Sequence, residues 1–443
     1  MAGAASPPPL FRPGGPGAPE RARAWLLLAT VAIGAAAFFA ILIVLARIPA
    51  VGALFPGPRF YKVALTLHVN LAQLVWFMSF AGLLWSLASR DAGRHLERAA
   101  FWCCAAGASA MAASPALGAQ TPVTSNYLPV LDHPAFLAGA TLFAGGMALQ
   151  AWRGAGLWAK GRPREGEALP AGLAIAAATT LLTLALLVAG ALELRPMAPG
   201  PAYFEALFWG PGHAWQFTLV VLMMVAWLGL AGDRGHWFAD PARARGLLLV
   251  AALPLLAAPA LQALHPVLSG AYRSGFTDLM RYGSWPAPAL LALALLVATG
   301  GAGGKGWRRD ALRLSALLFA AGLLLGAAID GQTTVVTAHY HGTIGAVTLA
   351  FMGLTHALLP LLGGGQGAPR LIRRQLALYG NGILLMMAGL AGAGFHGAPR
   401  KVPGNVAFEI GPEFMYRLVM GLGGSLATAG ILMFIFLVVR ESR

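Results

Sequence analysis

The sequence predicts an all-α membrane protein of about twelve transmembrane helices. Three observations carry this. Of 443 residues, 58% are hydrophobic and only 11% are charged, and long apolar runs recur from one end of the chain to the other. The runs are about 20 residues each, the length that crosses a hydrocarbon core of ~30 Å at 1.5 Å per residue. A charged fraction roughly half that of an average soluble domain excludes a soluble enzyme.

The predicted spans, in chain order, are 24–47, 61–89, 98–118, 134–152, 169–192, 201–231, 246–270, 285–301, 311–329, 333–362, 373–395 and 414–439. Basic clusters alternate with them: Arg21 and Arg23 before the first, Arg90, Arg94 and Arg98 after the second, Arg153 to Arg164 after the fourth. Arg243 and Arg245, Arg308 and Arg309, and Arg373 and Arg374 continue the series. With the N-terminus inside, inside segments hold 22 of the 31 Lys and Arg, and outside loops hold nine. The positive-inside rule then predicts both termini in the cytoplasm and a multi-pass protein of the inner (cytoplasmic) membrane, surrounded by lipid. The net charge of +15 is explained by this bias and calls for no nucleic-acid partner.

Residues 1–23 are expected to be a disordered cytoplasmic tail, since the first 20 contain six prolines and four glycines. Residues 24–443 are expected to form one transmembrane domain. The only cysteines, Cys103 and Cys104, are adjacent inside an apolar run and read as packing residues. No C-x-x-C-H haem-attachment motif is present.

Ionisable side chains at membrane depth are costly and mark function. Of ten histidines, His95, His133, His236 and His396 fall in loops or at span ends. His68, His213, His265, His339 and His341 fall inside spans, and the alternating topology brings all five to one level near the outer face. His356 lies deeper and reads as structural. Five imidazoles at one level point to metal or haem ligation. His339 and His341, two residues apart, project about 200° apart on a helix. They cannot share one metal, but they can serve two prosthetic groups on opposite sides of one helix.

These residues resemble a known family. The segment TVVTAHYHGTIGAVTLAFMG (334–353) resembles helix 10 of the haem–copper oxidases and related nitric oxide reductases, with its H-x-H pair. The segment LTLHVNLAQLVWFMSFAGLLW (65–85) resembles helix 2, and FWGPGHAWQF (208–217) resembles the helix 6 Gly-His motif. The fold implied is the twelve-helix bundle of subunit I. The resemblance implies two haems of b type. His339 would be the axial ligand of a high-spin haem, and His68 and His341 the pair on a low-spin haem. It implies a non-haem Cu or Fe on His213 and His265, and haem propionates at Arg400 and Lys401 of GAPRKVP (397–403).

The sequence departs from that family at three places. Its seventh helix normally offers two adjacent histidines, where LQALHPVLSG (261–270) has only His265. The tyrosine that oxidases often carry four residues after the helix 6 histidine is Phe217 here, with Gln216 beside it as a polar contact for the site. Tyr272 and Tyr282 could substitute only if their loop folds inward. The eighth span, PAPALLALALLVATG (286–300), has almost no polar side chain, and no polar track leads in from the inside. Acids gather outside instead: Glu193, Glu205, Asp278, Asp330, Glu409 and Glu413.

The function expected is a respiratory oxidoreductase that reduces a diatomic gas, NO in preference to O2, with catalysis at His339, His213, His265 and Gln216. Electrons would come from a partner carrying haem c, from a cupredoxin, or from quinol; the 271–284 loop, with Arg273, Asp278 and Arg281, would be a docking surface. The alternative is a haem-binding electron-transfer or sensor subunit that has lost the second metal. A transporter with a histidine relay fits less well, because no inverted repeat is visible.

Overall fold

The structure, a computed structural model, describes residues 11–46, 54–55, 57–90, 93–159, 168–232, 240–299, 306–400 and 412–442. Among them the chain forms a bundle of membrane-length helices with one two-stranded hairpin. The helices are α1 (Ala18–Leu45), α2 (Gly57–Val69), α3 (Trp76–Ala88), α4 (Arg94–Ala113), α5 (Pro134–Ala159), α6 (Ala168–Glu193) and α7 (Pro201–Ala231). They continue as α8 (Pro241–Ala252), α9 (Ala258–Leu264), α10 (Gly270–Gly283), α11 (Pro286–Ala298), α12 (Trp307–Ala327), α13 (Thr334–Leu358), α14 (Pro369–Phe395) and α15 (Pro412–Glu441). The strands β1 (Pro122–Val123) and β2 (Val130–Leu131) pair antiparallel between α4 and α5.

Eleven described helices are long and apolar enough to cross a membrane. In two of these spans the helix is interrupted. A π-helical segment, Asn70–Val75, joins α2 to α3, and a 3-10 turn, Leu253–Ala257, joins α8 to α9. The eighth predicted span is shorter than expected: α11 has 13 residues, and residues 300–305 lie outside the described chain. A further helix, α10, was not anticipated. It is amphipathic, burying Tyr272 and Phe276 while Arg273, Asp278 and Arg281 stay exposed.

The expected tail also differs where it is described. Phe11 is buried, with its ring over Gly229 of α7 and beside Leu354 of α13, and the Gly14 amide donates to Leu87 O at 2.9 Å. Ala18 already begins α1, with Pro19 in the first turn where its missing N–H costs nothing. An apolar ring and a satisfied amide are enough to seat this segment against the bundle. Residues 1–10 lie outside the described chain.

At the end assigned to the cytoplasm, the carboxylate of Glu97 is buried between Arg21 (2.7 Å) and Arg153 (2.8 Å), joining α1, α4 and α5. The three most enclosed spans are α2–α3, α7 and α13. Their inner halves are solid: residues 75–87, 217–231 and 345–358 are all buried. Aromatic rings knit these halves together, with Phe80 stacked on Phe351 at 4.1 Å and Phe77 edge-on to it at 5.9 Å. Such pairs contribute about 0.5–1.5 kcal/mol each beyond the area they bury. Cys103 and Cys104 are free thiols, and Cys104 Sγ points at Phe143 O.

Candidate functional site

The outer halves of the same three helices are built differently. Leu65, His68, Val69 and Ala72 are half-buried and spaced i, i+3, i+4, i+7, which is one face of a helix. On α13, His339, Tyr340, His341, Thr343 and Ile344 are half-buried, whereas everything from Gly345 inward is covered. Protein interiors are close-packed, so an uncovered stripe on an enclosed helix borders room for something else. Inward of that stripe the rings of Trp76, Phe77, Phe80 and Phe351 pack against one another.

Three histidines in this region share one arrangement. His68 Nδ1 bonds to Ala36 O of α1 at 2.9 Å. His339 Nδ1 bonds to Gly322 O of α12 at 2.7 Å, and His341 Nδ1 to Thr337 O of its own helix at 2.8 Å. A carbonyl oxygen only accepts, so each Nδ1 carries the proton and each Nε2 keeps its lone pair. This is the tautomer and anchoring that suit an imidazole to a metal or haem iron. His339 lies against α12, where a methyl group at Gly326 would come within 2.6 Å of its ring. The π-helical turn follows directly after His68 and Val69, with the Asn70 side chain donating to Thr66 O at 2.9 Å and to Pro129 O at 2.7 Å. Three imidazoles anchored through Nδ1, each with the Nε2 lone pair left over, form a donor set that fits haem iron.

His213 is different. Its Nδ1 donates to Trp209 O at 2.6 Å, so Nε2 accepts, and its partner is the Tyr127 hydroxyl at 2.7 Å. Both ring nitrogens are used within the protein. Tyr127 comes from the hairpin between β1 and β2, and its ring lies over Gly212, where a Cβ would stand 2.3 Å from Tyr127 Cγ. Trp209 packs edge-on at 6.1 Å. The expected companion, His265, caps the C-terminus of α9 on the least enclosed span, and no hydrogen bond or ring contact ties it to His213. The segment after it is held elsewhere, by the Val267 amide on Glu193 at 2.7 Å. Gln216 is half-buried on α7. No group of three or more His, Cys, Asp or Glu comes together among the described residues. These residues do not fit a non-haem metal as they stand.

A polar network covers the outer side of the Tyr127 hairpin. Glu205 accepts from the Asn126 amide at 2.8 Å and from Asn126 Nδ2 at 2.5 Å, and pairs with Arg273 at 3.4 Å. Arg400 donates to the side-chain oxygens of Asn126 and Gln332. Burial holds Arg400 below the usual arginine range, opposed by Tyr340, Glu205 and Tyr127. The Tyr127 phenol is pushed above the usual tyrosine range by burial and by Glu205, with Arg400 opposing. Lys401 lies outside the described residues. Of the outer acids, Glu193 and Glu205 are engaged as acceptors, Asp278 and Asp330 are exposed, and the side chains of Glu409 and Glu413 are not among those described.

Sequence reasoning missed Tyr127, Asn126 and Trp209. Tyr127 and His213 are 86 positions apart, and nothing in the 118–133 connection announces which helix it will meet. The available signal was glycine at position 212, a side-chain-free step beside a buried histidine. Tyr272 does fold inward, its hydroxyl on Gln262 Oε1 at 3.1 Å and against the Gly210 backbone, while Tyr282 stays exposed. His356, read as structural from the sequence, bonds through Nε2 to Gln375 Oε1 at 3.2 Å.

Comparison with known proteins gives the same direction. The chain is 29% identical over 341 residues to an uncharacterized protein of Aquifex aeolicus (strain VF5), covering 76% of this chain and 84% of that one. It is 24% identical to the uncharacterized protein RP382 of Rickettsia prowazekii (strain Madrid E), over 94% of both chains. Residues 21–233 match the family model of cytochrome c and quinol oxidase polypeptide I, a stretch that contains His68, Tyr127 and His213. Over that stretch, a little under half of the chain, the protein is similar to the cytochrome c and quinol oxidase polypeptide I family.

Proposed function

We propose that this membrane oxidoreductase reduces a diatomic gas, NO in preference to O2, at a haem carried by His339, and receives electrons through a haem between His68 and His341. The observation that carries the reading is the shared anchoring of these three imidazoles: Nδ1 on a backbone carbonyl, Nε2 free. When bound, the haems would supply one-electron transfer at His68 and His341 and binding and reduction of the gas at His339.

The protein's own residues do the rest. Ala36, Gly322 and Thr337 fix the imidazole planes through their carbonyls. The Phe80–Phe351 stack and the buried inner halves keep water from entering on the inner side. Arg400, with Lys401 as its proposed companion, would offer cationic contacts to propionates at the outer end. The preference for NO rests on protons and electrons. Joining two NO to N2O and water takes two electrons and two protons, and the exposed acids Asp278 and Asp330 lie at the outer end to supply the latter. The donor would be a haem c subunit, a cupredoxin or a quinol, with the exposed face of α10 as its dock.

The donors present do not suit the non-haem metal implied for His213 and His265, with Gln216 beside them. The bond from Tyr127 to His213 favours a second reading, an electron-transfer or sensor subunit without that metal.

Electrode measurements of NO and O2 consumption by the purified, chemically reduced protein test the proposal. NO loss with matching N2O production supports it. O2 consumption alone would make the protein an oxidase. Consumption of neither gas, with haem still present, would leave the second reading.

A further inference from the structure

The family resemblance gives His213 a metal to bind, and the structure gives it a different partner. We infer that Tyr127 stands in place of the second metal, so that the chain confines its redox chemistry to haem iron and His213 serves as a fixed, hydrogen-bonded acceptor.

The geometry supports this at each contact. His213 is buried, with Nδ1 committed to Trp209 O at 2.6 Å and Nε2 to the Tyr127 hydroxyl at 2.7 Å. A metal on either nitrogen must first break one of these bonds. The seat of Tyr127 is built for it. Gly212 leaves room for the ring, and Trp209 meets it edge-on. The preceding residue, Asn126, is clamped twice by Glu205 and once by Arg400.

Among the described residues no further donor completes a metal shell there. Glu205 is taken by Asn126 and Arg273, and Tyr272 by Gln262. Glu193 holds the Val267 amide, and His265 ends α9 in an extended conformation (φ −129°, ψ 125°). Transition-metal sites in proteins need three or four ligands, and this one offers a single imidazole already in use. Tyr127 is thus a positioning residue, acting through His213.

The inference shares with the proposed function only its view of this region as the active end. Full-length protein in detergent, incubated with excess Cu(I), Fe(II) or Zn(II) and desalted, is assayed for metal and for haem beside His213→Ala. The expected result is that haem accounts for all stoichiometric iron, with no copper or zinc that depends on His213. One Cu, Fe or Zn per chain, present in the wild type and lost in His213→Ala, would overturn it. CO binding is read separately. A third metal beside a CO-reactive haem defeats this inference alone, whereas an absent CO response defeats the gas-binding proposal alone. Solid-state 15N NMR of histidine-labelled protein supplies a second readout. The His213 signal, identified by its loss in His213→Ala, should show a protonated Nδ1 and a hydrogen-bonded Nε2, and the latter should shift in Tyr127→Phe. An Nε2 signal unmoved by Tyr127→Phe contradicts the pairing.

Discussion

His339 Nδ1 donates to the carbonyl of Gly322 at 2.7 Å across the α12–α13 boundary, while His341, two residues on, bonds within its own helix. The two rings of one helix are thus anchored differently, one across to α12 and one within α13. If they serve two haems, removing them should have separable effects. In His339→Ala, the CO-responsive part of the reduced spectrum should vanish while the remaining haem signal persists. Loss of both haem signals together would contradict the assignment.

The complementary variants are His68→Ala and His341→Ala. Each should remove the CO-insensitive, low-spin signal and leave CO binding in place, though slower to reduce by an external donor. Electron paramagnetic resonance of the oxidised protein checks this, because a bis-imidazole haem gives a low-spin signal that either variant abolishes. A low-spin signal surviving His68→Ala would place its second ligand elsewhere.

Gly326→Ala is a subtler probe of the same site. Its methyl would stand 2.6 Å from His339 Nδ1, too close for the ring to stay where it is. Overpacking of this kind costs about 1–3 kcal/mol. The expected outcome is a shifted or diminished CO band with the low-spin signal unchanged, and CO photolysis and rebinding kinetics report it. An unaltered CO band would mean that the ring does not lean on α12.

The buried Glu97 links Arg21 and Arg153 far from the haem region. Replacing it with alanine leaves two cations in a covered site, a change that costs about 3–5 kcal/mol in buried ion pairs. Thermal unfolding in detergent should move down by several degrees with the optical spectrum of the remaining folded protein unchanged. An unshifted midpoint would mean that water reaches the site.

Tyr127 and Tyr272 have their ionisation pushed above the ordinary value of about 10, in both cases mainly by burial. A folded-state value above the unfolded one means that the folded protein binds the proton more tightly. Their stabilising contribution is therefore complete below about pH 10 and is lost as pH rises further. Absorbance titration near 295 nm should be unchanged below that pH in Tyr127→Phe and Tyr272→Phe. A smaller amplitude in either variant would show that the phenol titrates normally.

Much of the fold was legible because a lipid-embedded helix must be long and apolar, a constraint written directly into composition. Span ends such as Pro134, Pro201 and Pro369 were legible within a few residues, since proline favours the first helical turn. The short α11 and the amphipathic α10 were not. Thirteen apolar residues beside a proline-rich loop look like part of a longer run, and the amphipathic face of α10 emerges only once Tyr272 has a surface to bury against.

The H-x-H spacing of His339 and His341 predicts their divergence, because helical geometry alone fixes the angle between two positions. What pins each ring could not be read, since Ala36, Gly322 and Thr337 contribute only carbonyls and carbonyls have no sequence signature. Tyr127 was hidden for another reason. It reaches His213 from a hairpin 86 positions earlier, and long-range placement of a loop depends on the packing of the whole outer end.

The central claim is that His68, His339 and His341 hold two haems of different character. The direct measurement is the optical spectrum of the dithionite-reduced wild-type protein with and without CO, with haem counted by pyridine haemochrome. The account predicts two haems per chain and a Soret band of which only part shifts with CO. A spectrum unmoved by CO, or a single haem per chain, would contradict it.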